Sequence, residues 1–531
     1  MADVLSGSAE PAAKRQRKAA VAGLSEATCD LLRTETLHLA AVDGVLLGAA
    51  GPFNHAPCAL LPFPLQASLF HEALALAPAF NRIVDRVSRD LSWLVPTVST
   101  TVAHDPFTSR LLTLLTTIRD EVGTAEGASQ PLQLSVNRSD YMIDEKDDAS
   151  AGRKRSLLQV ELNTISASFV SLAAKMSSLH THLLSRLKDE GTDGVGSDLE
   201  ECLKAILPAD ANASSTYANL DSSLPPNASV SRVAAGIATA HKEYIKRHSD
   251  KDEGALVAVV MIVQPNERNV VDQRGLEYAL WREQRVPMVR ATLAEVASGA
   301  KLAAGGKLRL SRGGRWVEAS VAYFRAGYTP NDYPTDSEWE ARGLIERSIA
   351  IKCPSLAQHL AGTKKVQQAL AAPGVLERFA SADDAKAMRA SFAPLYGLEA
   401  GGGAAVERAV AMAIERPGEF VLKPQREGGG NNLYGEEMRE ALRTMSEAER
   451  ASHILMGRIR PASLPSALMR EGELDGGRCA CELGVYGVHL GDGTVELVNE
   501  SAGHLLRVKL EGVDEGGVCA GFAVLSSPLL C

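Results

Sequence analysis

The stretch "KPQREGGGNNLYGEE", residues 423–437, sets three consecutive glycines between a Lys/Arg/Glu group and two asparagines. Such a run is entropically costly and structurally weak, but a backbone without side chains can curl around a phosphate with its N–H groups pointing inward. Lys423 ends an apolar strand-like segment, which fixes where its ammonium sits, and Glu427 adds a hard oxygen donor at the mouth of the loop. Asn431 and Asn432 tolerate tight turns and offer both donors and acceptors. A strand, a cation, a carboxylate and a glycine loop together make a nucleotide–magnesium site. The run alone is equally the signature of a plain flexible loop. Neither G-x-x-x-x-G-K-[ST] nor G-x-G-x-x-G is present.

A second constellation is "VELNTISASF". Glu161 and Asn163 stand two apart on an expected strand, so both side chains leave the same face. A carboxylate and an amide oxygen suit Mg²⁺, which takes few protein ligands and keeps water or phosphate for the rest. A solvated polar pair explains the same spacing. Arg507 and Lys509 share a strand face in "HLLRVK", and Lys364 and Lys365 open an expected helix in "AGTKKVQQ", where anions are favoured. Arg138 in "RSDY" and Arg325 in "YFRAGY" are each suited to clamp a carboxylate. Hydrolase and kinase motifs are missing. Cys479 and Cys481 form a C-x-C pair without a second pair at zinc spacing, so they read as residues of a buried strand, and His180 and His182 read as decoration of a helix.

What must hold these groups is a chain of 531 residues, long enough for two or three domains. Its net charge of −9 argues against a general nucleic-acid binder, and no apolar run reaches the length of a membrane span. Eight scattered cysteines fit reduced thiols. The basic run "KRQRK" lies in an Ala-rich leader that reads as disordered to about residue 23, either a solvated tail or a targeting address. Helical spacing fills 27–115, with breaks at "GPFNHAP" and "LVPTVS". Strands follow at "LQLSVN" and "SLLQVELNTIS", joined by an exposed polar connection, and then a helix over 168–189. Residues 191–230 are rich in Gly, Ser, Asn and Pro, with one helical stretch at 199–206. "ALVAVVMIV" is a buried parallel strand, and alternating helices and strands after it mark an α/β unit. The remainder reads as strands at "EFVLKP" and "SHILMGRI", a helix at "GEEMREALRTM", and a hairpin turning at "GDG".

Taken in order, "NRSDYM", "ELNTISASF", "ERNVVDQR", "YFRAGY", "KCPSLAQHLAGTKKVQQ", "FVLKPQREGGGNNLYGEEM", "HLLRVK" and "GGVCAG" resemble the eukaryotic type of glutathione synthetase, within the ATP-grasp superfamily. The resemblance runs from about residue 25 to the end. It implies an α/β (α+β) ATP-grasp fold with a helical N-terminal part and an inserted smaller α/β domain. The boundaries expected are a leader over 1–24, an N-terminal catalytic part over 25–254, a substrate-binding domain over 255–362 and a C-terminal part with the glycine-rich lid over 363–531. The activity implied is a ligase reaction of glutathione biosynthesis: ATP, γ-glutamylcysteine and glycine give glutathione, ADP and phosphate through an acylphosphate. β-Alanine is the alternative amine, giving homoglutathione. Also implied are one to two Mg²⁺ ions per subunit, a homodimer, a cytoplasmic location with a plastid left open by the leader, and neither nucleic-acid nor membrane partners.

By the same resemblance, Glu161, Asn163 and Glu427 are metal ligands. ATP contacts fall on Glu161, Lys364, Lys423, Pro424, Gln425, Arg426, Glu427, Gly428, Gly429, Gly430, Asn431, Asn432, Tyr434, Met456, Gly457, Arg458, Ile459, Glu482, Lys509 and Glu515. Peptide contacts fall on Arg138, Ile165, Ser166, Ala167, Ser168, Glu267, Arg268, Asn269, Gln273, Arg325, Ala326, Gly327, Tyr328, Arg507, Val518 and Cys519. Lys364, Lys423 and Arg507 are the expected catalytic cations. Four positions depart from the family's usual residues: Ala326 for an acid, Gly457 for Glu, which leaves adenine recognition there to the backbone, Cys519 for Ala, and Glu515 for Asp.

Overall fold

The computed structural model describes residues 26–49, 51–102, 105–122, 130–148, 152–189, 196–248, 255–425 and 431–531. The expected leader and the run from Arg426 to Gly430, with Glu427, lie outside them.

A seven-stranded sheet organises the chain. Its order is Leu464–Arg470, Cys58–Ala59, Val524–Ser526, Glu496–Leu510, Glu473–Gly491, Gln133–Asp148 and Gly152–Asn163. Side chains alternate between two cores along these strands. Val136, Tyr486 and Leu505 join a core with the helices Val170–Asp189 and Ser229–His248. Tyr141, Val485 and Leu506 join another with the helix Ala67–Arg89. This is the period-two pattern of a sheet covered on both faces.

Two other sheets flank the first. One is the α/β unit: Met288–Ala291, Leu256–Ile262 and Arg315–Phe324 lie side by side in parallel, with Ile351–Cys353 parallel to the last. Ala258 to Ile262 are all buried, as a parallel strand covered on both faces requires. The hairpin Leu308–Arg312 and Arg315–Phe324 turns at Gly313 and Gly314, both at positive φ. The four-stranded sheet, in the order Leu395–Gly397, His453–Gly457, Phe420–Pro424 and Leu433–Tyr434, packs Phe420, Leu422 and Leu455 against the helices Gly403–Glu415 and Gly435–Thr444. The fold is thus mixed α/β with a helical N-terminal part, the class expected.

The structure differs from the sequence reading in several places. "LVPTVS" does not break the helical region, because Leu91–Ser99 is one helix containing Pro96. The Asp90 side chain caps it by accepting from the Trp93 amide at 3.1 Å, and buried Leu94 and Val98 anchor it, so the one backbone bond that Pro96 removes is tolerated. The polar connection after Asp144 is mostly strand, its ladder running out to the Asp148–Gly152 pair. There Glu145 sits opposite Arg155 and accepts from its Nε at 3.1 Å, a cross-strand pair that supports a ladder of polar residues. The helix Ser229–His248, with buried Val233, Ile237, Ala240, His241 and Tyr244 on one face, was hidden behind the Ser/Asn/Pro-rich stretch preceding it. His180 lies on the helix Val170–Asp189 but faces inward. It is buried, with Nδ1 2.7 Å from Ser527 Oγ and Nε2 3.0 Å from the Ala59 carbonyl, while His182 is exposed. Cys479 and Cys481 are buried strand residues, and burial pushes both thiols up to about 12.

Candidate active site

Strand register assembles the charged floor of the site. Glu482 pairs with Arg507, Gly484 with Asp140, Asp140 with Glu161, and Arg138 with Asn163, so the four longest strands of the sheet present one row of polar side chains. Asp140 is the fully buried centre of this row. It receives a fork from Arg138, Nε to Oδ1 at 2.6 Å and Nη2 to Oδ2 at 2.8 Å, as well as Arg507 Nη2 at 3.1 Å and Asn163 Nδ2 at 3.0 Å. Arg507 also pairs with Glu482 and donates to the Gly516 carbonyl at 3.2 Å.

Above the floor lies a cavity of about 950 Å³, open to solvent. Lys364, from the start of the helix Lys364–Ala371, reaches to 3.8 Å from Glu161 Oε2. Lys423 is buried and donates to the Val160 carbonyl at 3.0 Å. Burial pushes the Glu161 carboxyl up, but Lys364, Lys423, Arg507 and Arg138 outweigh it and hold Glu161 ionised, well below the usual carboxylate range. Burial brings the Lys423 ammonium down to about 8. An ionised carboxylate ringed by cations is a poor resting arrangement for stability but a prepared one for polyanions.

The four-stranded sheet supplies an apolar wall. Val421, Tyr434 and Met456 line the cavity from the face opposite its helices, with Gly457, Arg458 and Ile459 beside them. The Gly457 amide donates to the Pro394 carbonyl at 2.8 Å and the Arg458 amide to that of Glu419 at 2.7 Å. Both N–H donors are therefore committed within the protein. Arg458 stands 5.6 Å from the Tyr434 ring and donates to Asp514 at 2.6 Å.

At the other end, the α/β unit and the turn after Asn163 enclose the cavity. Ile165, Ser166, Ala167 and Ser168 line it together with Glu267, Arg268, Asn269, Arg325 and Tyr328. Arg325 Nη1 donates to the Ser166 carbonyl at 2.6 Å. Three of the five described non-glycine residues at positive φ, Ser166, Phe169 and Asn266, line this cavity, so backbone strain gathers here. Phe169 is held by Asp272, which accepts from the Phe169, Ser171 and Leu172 amides at the start of the helix Val170–Asp189. Asn269 is 3% exposed and lines the cavity, yet neither Oδ1 nor Nδ2 has a hydrogen-bond partner. Buried amides are ordinarily satisfied, so the two atoms stand out at this end of the cavity.

Arg138, Glu161, Asn163, Lys364, Lys423, Asn432, Glu482, Arg507, Lys509, Glu515, Val518 and Cys519 also line the cavity. The structure thus gathers most of the expected residues around one space. Others stand outside its walls. Gln273 donates to the wall residue Glu267 at 3.0 Å and so supports it from behind, while buried Gln425 accepts from the Lys365 amide at 2.9 Å at the start of the helix Lys364–Ala371. Ala326 is in the core, Gly327 donates its amide to Asp332 at 2.9 Å, and Pro424 is paired with His453. Asn431 does not line the cavity, and Lys365 turns away from it to Glu399. Sequence reasoning missed Asp140 and Asp272. Only the acid two places after Arg138 in "RSDY" hinted at the former.

The donors fit a hard cation. Asn163 turns its amide nitrogen to Asp140 and, at 3.3 Å, to Glu161, which leaves its oxygen as the atom free to face a metal beside the Glu161 carboxylate. Among the described residues no cluster of three His, Cys, Asp or Glu could hold an ion by itself.

Comparison with known proteins agrees with this geometry. The family model for the eukaryotic glutathione synthase, ATP binding domain, matches residues 30–530. The chain is 41% identical over 477 residues to the chloroplastic glutathione synthetase of Solanum lycopersicum, covering 89% of this chain and 77% of that one. It is 39% identical to the glutathione synthetase of Dictyostelium discoideum, covering 90% and 92%, and 37% identical to that of Homo sapiens, covering 94% and 96%. A solved glutathione synthetase-like effector from Globodera pallida shares the fold at a TM-score of 0.68 and 20% identity, over 94% of this chain and 96% of that one. A match running through both halves of the cavity wall, in sequence and in fold, leads to one assignment: the chain belongs to the eukaryotic glutathione synthase family and is an enzyme of glutathione synthesis.

Proposed function

We propose that the chain joins γ-glutamylcysteine to glycine at the expense of ATP, with the residues gathered around the cavity carrying the reaction. The observation that supports this most is the meeting of Glu161, Asn163, Lys364, Lys423 and Arg507 at a single cavity with an apolar wall at one end and unsatisfied Asn269 at the other. In this reading the base lies against Val421, Tyr434 and Met456, and the peptide lies between Arg138, Arg325 and the 266–269 turn. Lys364, Lys423 and Arg507 neutralise the charge that builds as the peptide carboxylate attacks the γ-phosphate. Mg²⁺ held by Glu161, Asn163 and Glu427 would supply further neutralisation of the phosphates. The resulting acylphosphate is then opened by the glycine amine, and phosphate leaves. No protein nucleophile is needed. With the peptide's terminal carboxylate labelled with heavy oxygen, one labelled atom should appear in the released phosphate; unlabelled phosphate would exclude the acylphosphate.

Glycine is the proposed amine in preference to β-alanine because Cys519 and Ala520, in the loop bordering the cavity, are both small. The homodimer is carried by the family resemblance alone and is tested by light scattering of the purified chain. No helix among the described residues is long and apolar enough to cross a membrane. A cytoplasmic location is proposed, with a plastid as the alternative that the names of the tomato and Arabidopsis thaliana relatives support. Imaging of a C-terminally tagged chain separates the two.

A further inference from the structure

Asp140 belongs to none of the residue groups that the family resemblance implies for metal, ATP or peptide. It is fully buried and is not part of the cavity wall, so it does not touch what binds there. It nevertheless joins one residue from each functional group: Arg138 on the peptide side, Arg507 among the catalytic cations, and Asn163 beside the metal position. We propose that Asp140 is a positioning residue that holds the Arg138 and Arg507 guanidiniums at the peptide end of the cavity. The inference rests on the reading of that end as the γ-glutamylcysteine site.

Three features carry it. The Arg138 fork on Asp140 uses Nε and Nη2, so the guanidinium is locked in one plane with a fixed edge toward the cavity. Arg507 Nη2 is shared between Asp140 and Glu482, so removing the Asp140 charge frees Arg507 to swing wholly to Glu482. Gly484 is the cross-strand partner of Asp140, and a Cβ there would lie 2.7 Å from Asp140 Oδ1 and 2.8 Å from Arg138 Cδ. The facing strand thus leaves a gap shaped for the fork, and only glycine leaves that gap open. Side chain and gap together indicate a built device rather than an incidental ion pair.

The experiment measures γ-glutamylcysteine affinity by calorimetry and steady-state kinetics for the whole chain, with thermal melts as the check on folding. Asp140→Asn and Gly484→Ala should each weaken peptide binding by roughly ten- to hundredfold while changing the KM for ATP by less than about threefold. Asp140→Glu should recover part of the loss. If Asp140 acts through Arg507, the double variant Asp140→Asn with Arg507→Lys should bind no worse than the poorer single variant. Losses that multiply both in this double variant and in Asp140→Asn with Arg138→Lys, or a folded Asp140→Asn that binds like the wild type, would overturn the proposal. Should Asp140→Asn lack a cooperative melt, Gly484→Ala, which leaves every charge in place, decides alone: weakened binding supports the device and unchanged binding refutes it. A wild-type chain that fails to bind γ-glutamylcysteine would instead reject the substrate reading beneath it.

Discussion

Lys364 Nζ and Glu161 Oε2 stand 3.8 Å apart at the mouth of the charged floor, one from a helix start and the other from the edge strand of the seven-stranded sheet. Their approach is fixed by a contact just behind them. Thr164 Oγ1 donates to the His359 carbonyl at 3.4 Å, and Gly362 lies so close to Thr164 that a Cβ would fall 2.2 Å from its Oγ1.

That contact makes Gly362→Ala an indirect probe of the pair. The added methyl must push the segment bearing Lys364 away from the strand bearing Glu161. The expected cost is about 1–3 kcal/mol of stability, with a larger proportional fall in kcat than in peptide affinity. Melting curves and kinetics of the purified variant read both. An unchanged kcat would mean that the spacing of the pair is not critical.

Glu161→Gln tests the carboxylate itself. Glu161 is kept ionised by four surrounding cations, so its replacement leaves Lys364 and Lys423 uncompensated and removes a hard oxygen anion. The fold should persist, with kcat reduced by about a hundredfold or more at saturating Mg²⁺. Near-normal turnover would withdraw Glu161 from the metal and phosphate chemistry.

Four buried histidines set an acid limit on stability. Burial lowers His180 and His241 to about 4, and His359 and His504 to about 3. Each stays neutral in the native state while the unfolded chain takes up a proton below its ordinary value of about 6.5. Stability is therefore fully present above that pH and falls as pH drops from about 6.5 towards 4, by up to about 1.4 kcal/mol per pH unit per histidine. Denaturant melts across this window should show the decline, and His504→Asn should flatten part of it. A wild-type slope of zero would contradict the assignment of these side chains as buried and neutral.

The loop carrying Cys519 and Ala520 governs the amine. One methylene is discriminated by about 1–3 kcal/mol in a pocket, so glycine should be preferred to β-alanine by tens- to hundredsfold in kcat/KM. Cys519→Leu with Ala520→Pro places bulk in a turn held by the Gly521 amide on the Val518 carbonyl at 3.0 Å, and should erode that preference. A ratio unaffected by the double change would move amine selection elsewhere.

How much of this was legible in the sequence depended on whether the signal was local. The buried strand in "ALVAVVMIV" was readable because one uninterrupted apolar run carries the whole pattern. Arg507 and Lys509 could be placed on one strand face, but that Glu482 lies opposite Arg507 is a property of register between strands. Asp140 escaped notice for the same reason, since its partners Asn163 and Arg507 come from two other strands. The helix through Pro96 was missed because its cap and its buried face outweigh the proline. That Pro394 takes the Gly457 amide is likewise a tertiary contact that nothing in the sequence reveals.

The central claim is tested most directly by incubating the purified chain with ATP, Mg²⁺ and γ-glutamylcysteine in the presence of equal glycine and β-alanine, and identifying the peptide product by mass. The account predicts glutathione as the dominant product, formed one-for-one with ADP and phosphate and absent when ATP is withheld. A dominant β-alanine product would contradict the amine assignment, and the absence of any ATP-dependent peptide would contradict the proposed reaction.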